Sequence, residues 1–533
     1  MTKSKMATTR MLFAGAAAAA AAALMPAARA ESSSDALINK LEQKGILTSD
    51  EAKELRAEAE ASDTNLISQI PASKWQLASS IKSIALFGDL RLRYEYRGAD
   101  NPFPKAGVGT TVGDGNSGEL GKTYDRERFR YALRIGVRGD LVDDWNYGVR
   151  LDTSANPRSQ FVTFGDDTGK SLSSSAGTPS SGGTPSDKSS DGINVGQAYL
   201  GWHPTSWLTI MAGKMPQPLY TTPMVWSSSM NPEGAFEKLS YTLGPVDFFM
   251  DFGQFDYQDP TVSRAVVTSD TFILANQVGV NARLGKSMSL KAAPVTYIYT
   301  GHGNAPSPAT TPSTANYNSI YYPFIGQGDP SGVYKGFNDL YNQIGINNLL
   351  IVELPAEFNF KIYHTPLGTL QARIFGDFAY NYEGDDRARA AYSAEKAAFP
   401  GIKSAPTGEN IAYQVGIGIG SDGPVYGPTQ GLVYGTYSKK HAWEARFYWQ
   451  HIDQYSLDVN LLDADFFEGR ANLQGFYTSF SYSITDAIIG TVRYGNANQI
   501  NSNLGTGGSN PDLPLLNPIR NYQLVQLDLT WRF

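Results

Sequence analysis

The feature that most constrains this chain is a two-residue alternation of side-chain character, held over segments of about ten residues and repeated to the last residue. From residue 84 to 97 the even positions are Ile84, Leu86, Gly88, Leu90, Leu92, Tyr94 and Tyr96. The odd positions from 89 are Asp89, Arg91, Arg93, Glu95 and Arg97. Successive side chains of a strand point to opposite faces, so this segment has one apolar face ending in tyrosine and one fully charged face. Residues 126–141 repeat the pattern, with Phe129, Tyr131, Leu133, Ile135 and Val137 opposite Arg126, Arg128, Arg130, Arg134 and Arg138. Next, Trp145, Tyr147, Val149 and Leu151 oppose Asn146, Arg150 and Asp152. Residues 272–284, 370–382, 411–419, 442–452, 473–484 and 521–533 carry the same dyad.

A soluble β-sandwich would also alternate. It buries its apolar face against a second sheet, however, and rarely needs Tyr or Trp at the edge of so many strands. The connections alternate as well: short ones (140–144, 285–287) and long ones (98–125, 156–192, 301–347). Short turns on one rim, long loops on the other and aromatic borders describe a transmembrane barrel. The reading is an all-β chain forming an antiparallel up-and-down transmembrane β-barrel over residues 84–533. About 450 residues at about 28 per strand and connection give about 16 strands, enough to leave a water-filled lumen. Eighteen stays open, because the alternation blurs over 246–259 and 289–301. A short helix is expected within the long insert 383–407, at 388–399.

Lys3, Lys5 and Arg10 precede an apolar run over 11–25, shorter than the roughly 20 residues a spanning helix needs. Ala28-Arg29-Ala30 supplies a small-x-small site, so residues 1–30 read as an export signal cut after Ala30. Its removal deletes Lys3, Lys5, Arg10 and Arg29 and no acid, taking the formal charge from −7 to −11. Residues 31–70 read as a helical segment with two short helices. Leu37, Ile38 and Leu41 share a face, Gly45 stands at a C-cap, and Thr48 with Glu51 makes a capping box. Residues 71–83 form a linker.

Composition removes most other chemistry. With no Cys there are no disulfides, thiolate metal sites or cysteine nucleophiles. Lys and Arg number 44 against 51 Asp and Glu, which leaves no basic domain for nucleic acid. Five scattered His make no H-E-x-x-H, and no phosphate-binding or dinucleotide loop follows a strand. No cofactor, metal or enzymatic activity is therefore expected. An enzymatic barrel using His203 or His441 ranks third among the readings, and His451 lies opposite the inward set of its strand. Asp458, Asp463, Asp465 and Glu468 form an acidic cluster without an EF-hand scaffold, which reads as a solvated or arginine-paired loop.

Several longer blocks carry a resemblance: DALINKLEQKGILTSDEAKELRAEAE (35–60), GDLRLRYEY (88–96), DRERFRYALRIGVRG (125–139), WLTIMAGKMPQP (207–218) with VWSSSMNPEG (225–234), and WQHIDQYSLDVNLLDADFFEGRANLQGFYTSFSY (449–482). Through them the chain resembles the bacterial putative porins over nearly its whole mature length. It departs at Ser227, Ser228 and Ser229, where acidic residues are expected in relatives. The resemblance implies a pore-forming outer-membrane protein with no assigned solute; porins of this size commonly form homotrimers. The closing alternation through Trp531 to Phe533 resembles the signal read by the machinery that assembles outer-membrane barrels.

The expected function is passive diffusion of small hydrophilic solutes and ions across the lipid of the outer membrane, through a lumen narrowed by loop 156–192. Asp89, Arg91, Arg93, Glu95, Arg97, Arg126, Arg128, Arg130, Arg134, Arg138 and Arg150 are the candidate pore-lining residues. Fixed positive charge in a low-dielectric tube concentrates anions, so a mild anion preference follows unless facing carboxylates pair with the ladder. The alternative is a structural or adhesive surface barrel with a plugged lumen.

Overall fold

The computed structural model describes residues 78–100, 123–153, 159–164, 193–258, 271–300, 349–385, 408–421, 439–501, 506 and 519–533. The export signal, the paired helices within 31–70 and the helix expected at 388–399 lie outside the described residues. The chain divides into two units. The small one joins the N-terminal residues to Leu141–Asp144 and His203–Ser206. Within it Ile81 bridges to Leu141, and the His203 amide donates to the Asp144 carbonyl at 3.0 Å. The large one, Ser83–Asp140, Trp145–Trp202 and Trp207–Phe533, is the barrel.

Nineteen strand segments form one sheet. The first strand, Ala85–Asp100, pairs antiparallel with Thr123–Asp140 on one side. On its other side it pairs with the last, Asn521–Arg532, from Asp89↔Arg532 to Asp100↔Asn521. That second ladder closes the sheet and abolishes its edges, the arrangement a lipid environment demands of strands. Gly88 and Phe533 exchange amide-to-carbonyl bonds of 2.9 and 3.2 Å and extend the seam to the last residue.

The count resolves to sixteen strands. Val162–Thr163 is a two-residue segment within a loop. Met288–Ala292 and Val295–Tyr299 both pair with Thr271–Arg283 and are one strand broken at Pro294. Leu350–Glu353 and Ala356–Thr365 both pair with Gly368–Asn381 and are a second, broken at Pro355. Proline has no N–H to give the ladder, so each break falls at a proline.

The dyad sorts the faces as read. Leu86 is 64% and Phe129 60% exposed on the outside, whereas Arg91, Arg93, Glu95 and Arg97 are at most 2% exposed inside. Within Gly368–Asn381, Ile374 and Phe378 face out and Arg373, Asp377 and Asn381 face in.

The blurred segments have a physical cause. Val246–Gln258 and Val295–Tyr299 keep the same parity, but their inward faces carry Phe249, Phe255, Val295, Tyr297 and Tyr299. These residues meet apolar material inside the barrel. Loop 215–232 buries Leu219, Met224, Val225 and Trp226, and loop 453–472 buries Leu457, Val459, Leu461, Leu462, Phe466 and Phe467. The Trp226 ring lies 5.7 Å from Phe255 and 6.2 Å from Tyr297, centre to centre. Two backbone bonds tie the loops together: Ser227 N–H to the Leu461 carbonyl at 2.6 Å, and Asp463 N–H to the Pro223 carbonyl at 3.1 Å. Part of this barrel's hydrophobic core is inside its lumen.

Candidate functional site

The inward charged faces of the first two strands build the site. Asp89 accepts from Arg91 Nε at 2.5 Å and Arg134 Nε at 2.6 Å. Glu95 is a hub: it accepts from Arg128 Nε at 2.6 Å, Arg97 Nη2 at 3.0 Å and Gln526 Nε2 at 2.8 Å, with Arg130 Nη1 3.6 Å away. Alternation puts these carboxylates on the arginines' own face, within reach across one or two residues. Arg150 forks onto Asp152 two residues along, with both bonds at 2.7 Å. Arg126 is half-buried; Arg138 is exposed, its guanidinium 5.0 Å from the Phe87 ring.

Arg93 draws on distant parts of the chain. Its Nε and Nη2 fork onto Asp528 of the last strand at 2.7 and 2.9 Å, and its Nη1 donates to Asp465 of loop 453–472 at 2.6 Å. The Phe161 ring covers its guanidinium at 3.9 Å. Arg97 holds the same loop through the Asp465 carbonyl at 2.8 Å and Glu468 at 3.5 Å. Arg493 shares Asp528 at 2.5 Å, and Arg470 binds Glu468 at 3.1 Å. The acidic cluster is thus an arginine-paired loop inside the barrel. Its two central carboxyls differ. Burial pushes the Asp463 carboxyl up to about 7, with neighbouring Asp465 adding to the rise, and no described guanidinium hydrogen-bonds it. Burial also works against Asp465, but Arg93, Arg493 and Arg97 hold its carboxyl below the ordinary value.

A second wall treats charge differently. Glu353 and Asp377 stand on neighbouring strands, buried, with no described cation in salt-bridge range. Glu353 accepts from Tyr297 Oη at 2.6 Å and from Thr221 Oγ1 at 2.7 and 3.0 Å on its two oxygens. Asp377 accepts from Thr222 Oγ1. Hydroxyls of loop 215–232 here meet carboxyls of the wall.

Every candidate pore-lining residue lies on the inward face of its strand. The alternative weighed from sequence, an arginine ladder paired with carboxylates, is the arrangement seen. Of loop 156–192 only residues 159–164 are described: Ser159, Gln160 and Phe161 are buried, with Arg130 Nη2 donating to the Phe161 carbonyl at 3.1 Å, while Val162–Thr163 pairs with Thr123–Asp140 in the wall and Phe164 is exposed beside Tyr131. Sequence patterning alone does not place loops 215–232 and 453–472 in the lumen. The missed signal was the apolar inward face on 246–258 and 295–299, which needs something apolar to cover it. His203, in the small unit, and His441, in the barrel, are both exposed, His441 Nδ1 lying 2.6 Å from the Tyr482 hydroxyl. His451 faces outward, stacked on Tyr413 at 4.9 Å.

No curated protein matches the chain in sequence. Among solved structures it is similar to OprB of Pseudomonas putida, at 10% identity and TM-score 0.45, covering 85% of this chain and 94% of that one. It is also similar to the outer membrane channel DcaP of Acinetobacter baumannii (14%, TM-score 0.36, 86% and 99%). A third is an anion-selective porin from Comamonas acidovorans (8%, TM-score 0.38, 85% and 99%). The family model described as "Putative porin" matches residues 64–533, the whole barrel included. With its sixteen-stranded closed sheet and charged interior, the chain belongs to the putative porin family.

Proposed function

We propose that the protein is an outer-membrane porin that passes small hydrophilic solutes and ions passively, with weak charge selectivity. The observation that carries this reading is a closed barrel, apolar outside, whose inner face is lined by ionised side chains in a family of porins. A polar interior behind an apolar outer band is the arrangement of a porin barrel, whose lumen is a water-filled channel.

Weak selectivity follows from the pairing. Asp89, Glu95, Asp152, Asp465 and Asp528 each sit within hydrogen-bonding reach of an arginine, so the ladder presents alternating charge and little net field along the axis. The mild anion preference expected from the arginines alone is reduced accordingly. The exported, signal-cleaved form and a homotrimer belong to the same proposal, as does assembly through Trp531 and Phe533.

Recording currents from the purified protein in planar bilayers tests it. Stepwise currents with a reversal potential near zero under a salt gradient are expected. A large reversal potential would overturn weak selectivity. Silence would overturn the pore and favour the plugged surface barrel, the reading to which the apolar cluster in the lumen would then belong.

A further inference from the structure

We infer that Glu353 and Asp377 are positioning residues that set the bore, by latching loop 215–232 to the wall through hydroxyl donors of Thr221 and Thr222. The inference deepens the porin reading and rests on it.

The latch begins where the sheet is broken. Pro294 and Pro355 interrupt adjacent strands, and the Ala293 carbonyl accepts from Gln277 Nε2 at 2.9 Å. The same Gln277 amide donates to the Tyr220 carbonyl at 2.8 Å, and its Oε1 accepts the Tyr220 N–H at 2.8 Å. One side chain thereby pairs with the loop backbone as a neighbouring strand would. The next two loop residues give their hydroxyls to Glu353 and Asp377, and the Thr222 N–H reaches Glu353 at 3.3 Å. Tyr220, Thr221, Thr222, Gln277, Glu353 and Asp377 are all buried.

Three consecutive loop residues are therefore held by three wall side chains, with Tyr297 orienting Glu353 from the broken strand. A hydrogen bond held away from water is stronger than the same bond in solvent. A hydroxyl has a short reach, so these bonds survive only while the loop lies against the wall. The charged neighbours are engaged elsewhere: Arg373, on the strand of Asp377, donates to Glu357 at 2.9 Å, and Lys291 lies over the Tyr220 ring at 4.0 Å.

The latch fixes more than its own residues. Val225 and Trp226 N–H groups turn back onto the Thr222 carbonyl at 3.0 and 2.9 Å. That turn delivers Trp226 to Phe255 and presents Pro223 and Ser227 to loop 453–472. Releasing Thr221 and Thr222 loosens loop 215–232 and, with it, one of the supports of loop 453–472.

The test compares Glu353→Ala/Asp377→Ala, Glu353→Gln/Asp377→Asn and Thr221→Val/Thr222→Val with the wild type. The readouts are unit conductance in planar bilayers and the swelling rates of liposomes in sugars of increasing size. The Ala pair is expected to raise unit conductance and shift the sugar size limit upward. The Gln/Asn pair still accepts from threonine and should restore the wild-type limit. The Val pair leaves the wall intact and should reproduce the widening, and it decides the matter if the Ala pair fails to fold. Ala and Val pairs that insert, show the wild-type heat-modifiable gel mobility and keep the wild-type conductance and size limit would overturn the latch. A wild type without current steps would instead sink the porin reading.

Discussion

The two sides of the lumen anchor their loops by opposite means. On the wall of the first and last strands, loop carboxylates come to wall guanidiniums, Asp465 to Arg93 and Glu468 to Arg97. On the wall carrying Glu353 and Asp377, loop hydroxyls come to wall carboxyls. The first arrangement cancels charge, and removing one partner strands the other as a buried ion. The second uses neutral donors, and removing a hydroxyl strands no cation. The arginine wall therefore governs stability, and the carboxyl wall governs where a loop sits.

The sharpest way to break this comparison is Arg93→Ala. It leaves Asp465 and Asp528 without their shared guanidinium and should cost about 3–5 kcal/mol, read as a lower urea midpoint of the folded barrel in detergent micelles. Arg93→Lys should recover only part, because an ammonium cannot fork onto two carboxylates. A wild-type midpoint for Arg93→Ala would mean that the pairing is ornamental.

A pH series sharpens it next. Between about pH 4 and pH 7 an unfolded chain releases the Asp463 proton that the folded chain keeps, so stability falls as pH rises through that window and is full below it. Asp465, held low by its arginines, contributes in the opposite sense and loses its share in acid. Urea midpoints across the window should decline for the wild type and decline less steeply for Asp463→Asn. An unchanged slope in that variant would place the titration elsewhere.

The smallest expected effect is at Phe161, whose ring covers Arg93. Phe161→Leu keeps apolar cover but removes the ring face, a loss of about 0.5–2 kcal/mol measured by the same midpoints. A larger loss would mean that the ring mainly packs loop 159–164 rather than serving the cation.

How far these walls could be read in advance differs between them. Alternation in 84–97 and 126–141 named the arginine wall residue by residue, because side-chain direction in a strand depends only on parity. The blurred stretches 246–259 and 289–301 obscured the other wall. There the inward face is apolar because it packs on Trp226 and its neighbours, and two prolines divide the strands. Asp377 stood in a legible inward set, whereas Glu353 stood in a segment too short to show a period.

By itself the sequence determined the closed sheet, the outward and inward faces and the candidate lining, since period-two patterning and the bordering aromatics are local properties. Only the tertiary structure decided which loops enter the lumen and which carboxylate meets which arginine. Arg93 finds Asp465 and Asp528 at separations of 372 and 435 residues, and Thr221 finds Glu353 across 132. Contacts at that range arise from barrel closure and loop packing, and no local pattern encodes them.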